Sequence, residues 1–229
     1  MGDFQGTGYE QLIRAGHQAF LKALARESLD SAKRLHVAYR SILENLQPRI
    51  SALSATNLDK AAVRALYEKV RDSLDYLSIQ IEREARQLER FGRQAGAQYG
   101  QATAQAGGVA VSWNQVGTEQ LNSLIAYVDS APFRASLGRY GEYHAQQTVD
   151  IILGLESHGY GPEAIARQVR KYTASMPYYD AVRMTRTVGI YSARRGTQAQ
   201  WQANRDIVKG WIWSSAQDMR TCPSCWSQH

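Results

Sequence analysis

Between Tyr9 and Gln47, apolar or small residues recur at Leu21, Ala25, Ser28, Ala32, Leu35, Tyr39, Ile42 and Leu46, with spacings that alternate four and three. A period of 3.5 residues is the seam of a coiled-coil-like helix. Pro48 is expected to end or kink it, because proline has no N–H to donate. A fresh start signal follows at "TNLDK", where Thr56 or Asn57 can cap a helix and Asp59 complements its first turn. Val63, Leu66, Val70, Leu74, Leu77, Ile81, Ala85 and Leu88 then recur three, four and four apart. That period, near 3.67, favours straight or slightly right-handed pairing. Glu82 with Arg86, and Glu89 with Arg93, are read as helix-supporting pairs on its outer face. The two segments predict a long antiparallel hairpin.

Beyond the hairpin, Gly92, Gly96, Gly100, Ala104 and Gly108 fall every four residues. A small-residue stripe lets another backbone approach closely. Each interior glycine also costs about 1 kcal/mol against alanine, so a frayed connector near "QAGGVAVSW" competes with close packing. A domain boundary is placed around Gly107. The second half reads as shorter helices: Thr118 to Asp129, then Phe133 to His158 with Val149, Ile152, Leu153 and Leu155. A further helix opens with Pro162 at its first position, where proline is tolerated, and Pro177 is expected to close it. Tyr178 to Ala203 forms the last, with Val182, Thr185, Val188 and Ala193 inward. Strand signal appears only in "VKGWIWSSA", which mixes Val208 with Trp211 and Trp213.

Composition narrows the class. Hydrophobic content of 44% and charged content of 21% are those of an ordinary globular chain long enough to bury a core. With mean hydropathy −0.45 and no apolar run approaching about 18 residues, no membrane span is expected. The opening "MGDFQGTGYE" lacks the basic and apolar regions of a secretory signal. Gly6 stands where a myristoylation signal carries Ser or Thr. Two cysteines in one short pair make no disulfide framework, so a reducing cytoplasm is expected. The net charge of +6 is unevenly placed: 17 basic and 17 acidic residues lie up to Glu156, but 10 against 4 from Ser157 onward. Such asymmetry suits either a polyanion-facing surface or a solvated basic one.

Cys222 and Cys225 hold the chemistry most worth weighing. A redox Cys-x-x-Cys needs a helix N-terminus in a βαβ frame to lower a thiol pKa, and no such frame precedes it. A nucleic-acid deaminase needs His-x-Glu upstream, and none of His17, His36, His144 or His158 has Glu two residues on. The pair also forms one edge of a zinc tetrahedron that needs two more ligands. His229 stands at the right spacing from Cys225 for a third, and no fourth is near. Either the thiols are free in this chain or the remaining ligands lie beyond it. A metal-dependent enzyme would draw on Asp218. No nucleotide-binding glycine loop, G-x-S-x-G or H-E-x-x-H occurs. The second candidate site is basic and aromatic: Arg183, Arg186, Arg194, Arg195, Arg205 and Lys209 interleave with Tyr191, Trp201, Trp211 and Trp213. Arginines among aromatics can hold phosphates and stack bases, or pair with acids on a partner protein while the tryptophans pack a small core. His36 and His144 are read as packing residues.

The stretch from "RTVGIYSARRG" to "DMRTCPSCWSQH" resembles the head-morphogenesis, or minor capsid, proteins of tailed phages, the group named for Mu protein F. Their pattern is an Arg-Thr-Glu helix, a Lys-x-Trp, an Asp-x-Arg-Thr-Cys-x-x-Cys, then a glycine and a Pro-x-His…Cys-Arg-Cys tail. Arg186 and Thr187 match the first element, with Val188 in place of Glu; Lys209 and Trp211 match the second. Asp218, Arg220, Thr221, Cys222 and Cys225 match the third. "GYGPEAIARQVRKY" is similar to the short helix that precedes the motif, so the resemblance covers roughly residues 118 to 229.

The resemblance implies a non-enzymatic virion component at the portal vertex and head interior, in the host cytoplasm during assembly. It would assist head assembly and genome packaging or ejection. It implies portal, major capsid or other head proteins as partners, contact with packaged double-stranded DNA, and no small-molecule substrate. It further implies a longer parent protein in which zinc completes its ligand set after residue 229. The alternative is a nucleic-acid-binding protein with a zinc module. The expected fold is mainly α: a long helical hairpin over 1–107 as partner-binding arm, then a smaller helical domain over 108–229. That domain would end in a small Cys-containing, zinc-stapled α+β module.

Overall fold

The computed structural model describes residues 8–55, 60–106, 112–124 and 126–208. Its helices are α1 (Gly8–Ala55), α2 (Lys60–Ala106), α3 (Thr118–Ser123), α4 (Ala131–Gly138), α5 (Tyr140–Ser157) and α6 (Pro162–Gln202), with a 3-10 turn at Tyr127–Asp129. The fold is mainly α, and no strand occurs among the described residues. The strand signal and the cysteine module fall almost wholly after Val208, outside them.

α1 and α2 form the expected antiparallel hairpin: His17 meets Tyr99 at one level and Arg34 meets Glu84 further along. α6 lies against both. It runs parallel to α2, with Gly92 beside Gly189 and Gly96 beside Ala193, and antiparallel to α1, where the Tyr178 hydroxyl donates to the Ala32 carbonyl. α5 packs on α2 and antiparallel to α6. The stretch around Gly107 lies outside the described residues, yet a single apolar core joins Leu35, Leu46 and Leu77 of the hairpin to Ile152, Ile165 and Val188 of the second half.

The seam of α2 is buried from Leu66 to Leu88, with Val63 half-buried. That of α1 is buried from Ser28 to Leu46, but Leu21 is 47% exposed and Ala25 is exposed, while Leu24 is buried in their place. α1 serves two partners rather than one, and Leu24 reaches Gly189 of α6. At Gly92, Gly96 and Gly100 the stripe packs closely on α6, while Gly108 and most of the connector lie outside the described residues. A methyl at Gly96 would lie 1.9 Å from the Ala193 carbonyl oxygen, and one at Gly196 would lie 2.0 Å from that of Arg93. Backbone touches backbone here, as only small residues allow.

Neither interior proline ends its helix. α1 continues through Pro48 to Ala55, and the turn at which Pro48 cannot donate to the Glu44 carbonyl is an exposed one, with Pro48 and Glu44 both at the surface. α6 continues through Pro177, which is buried. Pro177 deprives the Thr173 carbonyl of its helical donor, and the Tyr39 hydroxyl of α1 donates to that carbonyl instead. Tyr140 in turn donates to the Pro177 carbonyl.

Two predicted helices are broken. The segment read as one helix from Thr118 to Asp129 stops at Ser123, where Arg93 of α2 donates to the Leu121 carbonyl at 3.0 Å. Glu89 accepts from the Tyr127 N–H at 2.5 Å. Glu89 and Arg93 are therefore not on an outer face: they are a buried ion pair, 3.4 Å apart, that holds the crossing segment to α2. The helix expected over Phe133 to His158 is interrupted at Arg139. There Gly141 meets α2 so closely that a methyl would lie 2.7 Å from the Arg71 carbonyl oxygen. The α5–α6 turn closes on Gly159 at φ 77°, with the Gly159 and Tyr160 N–H groups donating to the Glu156 and Leu155 carbonyls, a glycine-terminated helix end.

Candidate functional site

α6 brings the predicted basic residues together along one surface. Its inner positions, Ala181, Thr185, Val188, Ser192 and Gly196, face the bundle. Its outer positions, three and four apart, are Met176, Tyr179, Arg183, Arg186, Ile190 and Arg194, all exposed. Arg183 is paired with Asp180 at 2.9 Å and is still 76% exposed. Neither Arg186 nor Arg194 forms an ion pair with a described residue. Arg195, on the flank, is half-buried, and Arg205 is exposed on the turn after the helix. Thr187 is exposed beside Arg186, its hydroxyl donating to the Arg183 carbonyl at 3.0 Å. Across its length α6 carries seven basic residues against Glu163 and Asp180.

The end of α6 is anchored by amides. Asn204, buried, accepts from the Asn114 N–H at 2.7 Å and donates to the Asn114 carbonyl at 2.9 Å. Gln200 donates to the same carbonyl at 2.7 Å and accepts from the Val116 N–H. These bonds fix the 112–117 segment across the helix and hold the arginine face rigid at that end. Lys209, Trp211, Trp213, Asp218, Arg220, Thr221, Cys222, Cys225 and His229 lie outside the described residues. Among the described ones no group of three or more His, Cys, Asp or Glu gathers as a metal site would require, and no helix is long and apolar enough to cross a membrane.

A second polar cluster escaped sequence reasoning. His144 of α5 is 1% exposed; its Nδ1 lies 2.7 Å from the Tyr172 hydroxyl and its Nε2 3.5 Å from Asp180 Oδ2. Burial pushes its pKa down to about 4, against a smaller opposing pull from Asp180, so the ring is neutral at pH 7. Burial also raises the pKa of Tyr39, Tyr140 and Tyr172. His144 and Asp180 form one wall of a cleft of about 620 Å³ whose rim carries Arg139, Glu142 and Arg183. Both ring nitrogens of His144 face partners, so it acts as a polar link between α5 and α6 rather than as a free base. Only its placement on the inner side of α5, one turn from Thr148, could have signalled this. His36 is exposed and packs edge-on to Tyr178, with ring centroids 5.3 Å apart. No protein-family model matches the chain, and neither a curated protein nor a solved structure does.

Proposed function

We propose that the chain is a minor head protein of a tailed phage. It is a non-catalytic virion component that binds portal, major capsid or other head proteins and assists head assembly and genome packaging or ejection. The reading rests on the motif resemblance, and one observation carries it further. Arg186 and Thr187, the motif element inside the described residues, stand exposed on the outer face of α6. Side chains that face the bundle serve its packing, whereas these two are free to contact a partner. The face is also held by backbone contact with α2 and by the amide anchor at its end, the rigidity a docking surface needs. Within this reading Cys222 and Cys225 supply two ligands of a zinc site.

The test is co-sedimentation of the purified chain with isolated heads, and its capture by purified portal. Wild type is expected to associate, and Arg186→Glu to reduce association about tenfold or more, a loss typical of a charged contact at an interface. Absence of wild-type association with both heads and portal would remove the reading. The second reading, a nucleic-acid-binding protein with a zinc module, is favoured by the concentration of charge on α6. It predicts duplex binding without any head association.

A further inference from the structure

α5 and α6 leave an open groove between them. One part of it, a cleft of about 580 Å³, has Ile151 and Leu155 of α5 on one wall and Tyr172 and Met176 of α6 on the other. Room is left there because Gly154 and Ser175, which also line the cleft, carry little side chain. Gly154 weakens α5 by its own propensity, and, unlike Gly96 or Gly141, it is crowded by nothing within the chain. The cleft beside His144 lies further along the same two helices. Tyr143 of α5 is 55% exposed and Tyr179 of α6 is 62% exposed, so aromatic surface stands open on both sides.

The two walls differ in charge. α5 holds Glu142, Asp150 and Glu156 and neither Lys nor Arg, whereas α6 between Pro162 and Met176 holds Arg167, Arg170 and Lys171 against Glu163. Asp150 and Lys171 line the cleft from opposite walls, both exposed. Neither forms an ion pair with a described residue; Asp150 accepts from Gln146 and Gln147 of its own helix. We propose that two copies of the chain pair face to face through this groove, about a two-fold axis parallel to α5 and α6. Such an axis keeps the level along the groove and exchanges the walls. It lays the acidic α5 of each copy on the basic stretch of α6 of the other. Asp150 of each copy then meets Lys171 of the other, twice per dimer, as a self-complementary contact requires. An axis across the helices would lay α5 on α5 and set like charges together. The face is about 22 Å long from Tyr143 to His158 and about 20 Å wide. That is roughly 440 Å² per copy, short of the roughly 800 Å² of a standard interface, so the dimer is weak, with a Kd of about 10–100 μM. The inference does not depend on the head-protein reading.

The test is sedimentation velocity on the 229-residue chain, from about tenfold below to about tenfold above that Kd. Wild type is expected to move from the 25.6 kDa monomer toward twice that mass. Asp150→Lys and Lys171→Glu each set like charges together at two places, and each should weaken pairing about tenfold. An equimolar mixture of the two variants restores both pairs between unlike copies, and should associate within about threefold of wild type. An ion pair formed inside one copy could not produce that recovery. Arg64→Glu, on α2 and outside the groove, should change pairing less than about twofold. Both groove positions are exposed, and circular dichroism confirms that each variant is folded. A chain that stays monomeric throughout would overturn the proposal and leave the groove to a different protein. Single variants that associate like wild type, or a mixture no better than its components, would overturn it as well.

Discussion

Gly96→Ala adds one methyl group to the tightest contact between α2 and α6. Its Cβ would lie 1.9 Å from the Ala193 carbonyl oxygen and 2.7 Å from the carbonyl carbon. Carbon–oxygen contacts of this kind do not close below about 3 Å, so the two backbones must part by about 1 Å. Nothing can rotate aside, because the obstacle is main chain. One turn away the same interface is closed again by Gly196 against the Arg93 carbonyl, so a local bulge does not relieve the clash. Overpacking costs about 1–3 kcal/mol and more where backbone must move, while helix propensity returns about 1 kcal/mol for alanine over glycine. Parting the helices also loosens the contacts at Gly92 and Gly100. A net loss of about 2–4 kcal/mol is expected.

Gly154→Ala, at an exposed position of α5, supplies the opposite sign, since nothing lies within 4 Å of the added methyl; it should gain up to about 1 kcal/mol. Thermal unfolding followed by circular dichroism separates them. At about 2–4 °C per kcal/mol for a chain of this size, Gly154→Ala raises the midpoint by about 2–4 °C and Gly96→Ala lowers it by about 4–16 °C. An unchanged or raised midpoint for Gly96→Ala would mean that α2 and α6 do not meet backbone to backbone, and the parallel pairing would have to be abandoned.

Tyr39→Phe should cost about 1–3 kcal/mol by leaving the Thr173 carbonyl without a donor. In a Pro177→Ala background, where an N–H returns to that turn, the cost should fall below about 1 kcal/mol; additive losses in the double-mutant cycle would show that the tyrosine does not substitute for the missing helical bond. His144 titrates at about 4 in the folded chain and near 6.5 when unfolded. The unfolded state therefore binds more protons between those values, so stability is full above pH 6.5 and falls as pH drops toward 4, by about 2–3 kcal/mol. His144→Gln should have a flatter pH–stability profile by that amount in urea melts; parallel profiles would remove His144 as the cause.

The local pattern of α2 was sufficient to place its buried seam, because a helix with one dominant apolar stripe buries that stripe whatever covers it. The glycine spacing marked a close approach, and the arginines of α6 were legible because exposed positions obey the same period. Where propensity competed with partners distant in the chain, the local pattern was not enough. Pro177 is a helix breaker by its own chemistry, and only Tyr39, 138 positions earlier in the sequence, makes it tolerable. Glu89 and Arg93 look like any solvent-exposed pair four apart until the 118–129 segment crosses over them. His144 has no meaning alone; its partners Tyr172 and Asp180 arrive from α6. The sequence by itself thus determined helical class, the periodicity of each face and the sign of the charge on α6. The tertiary structure alone decided where helices end and which polar groups are buried, because those depend on donors and acceptors supplied across space rather than along the chain.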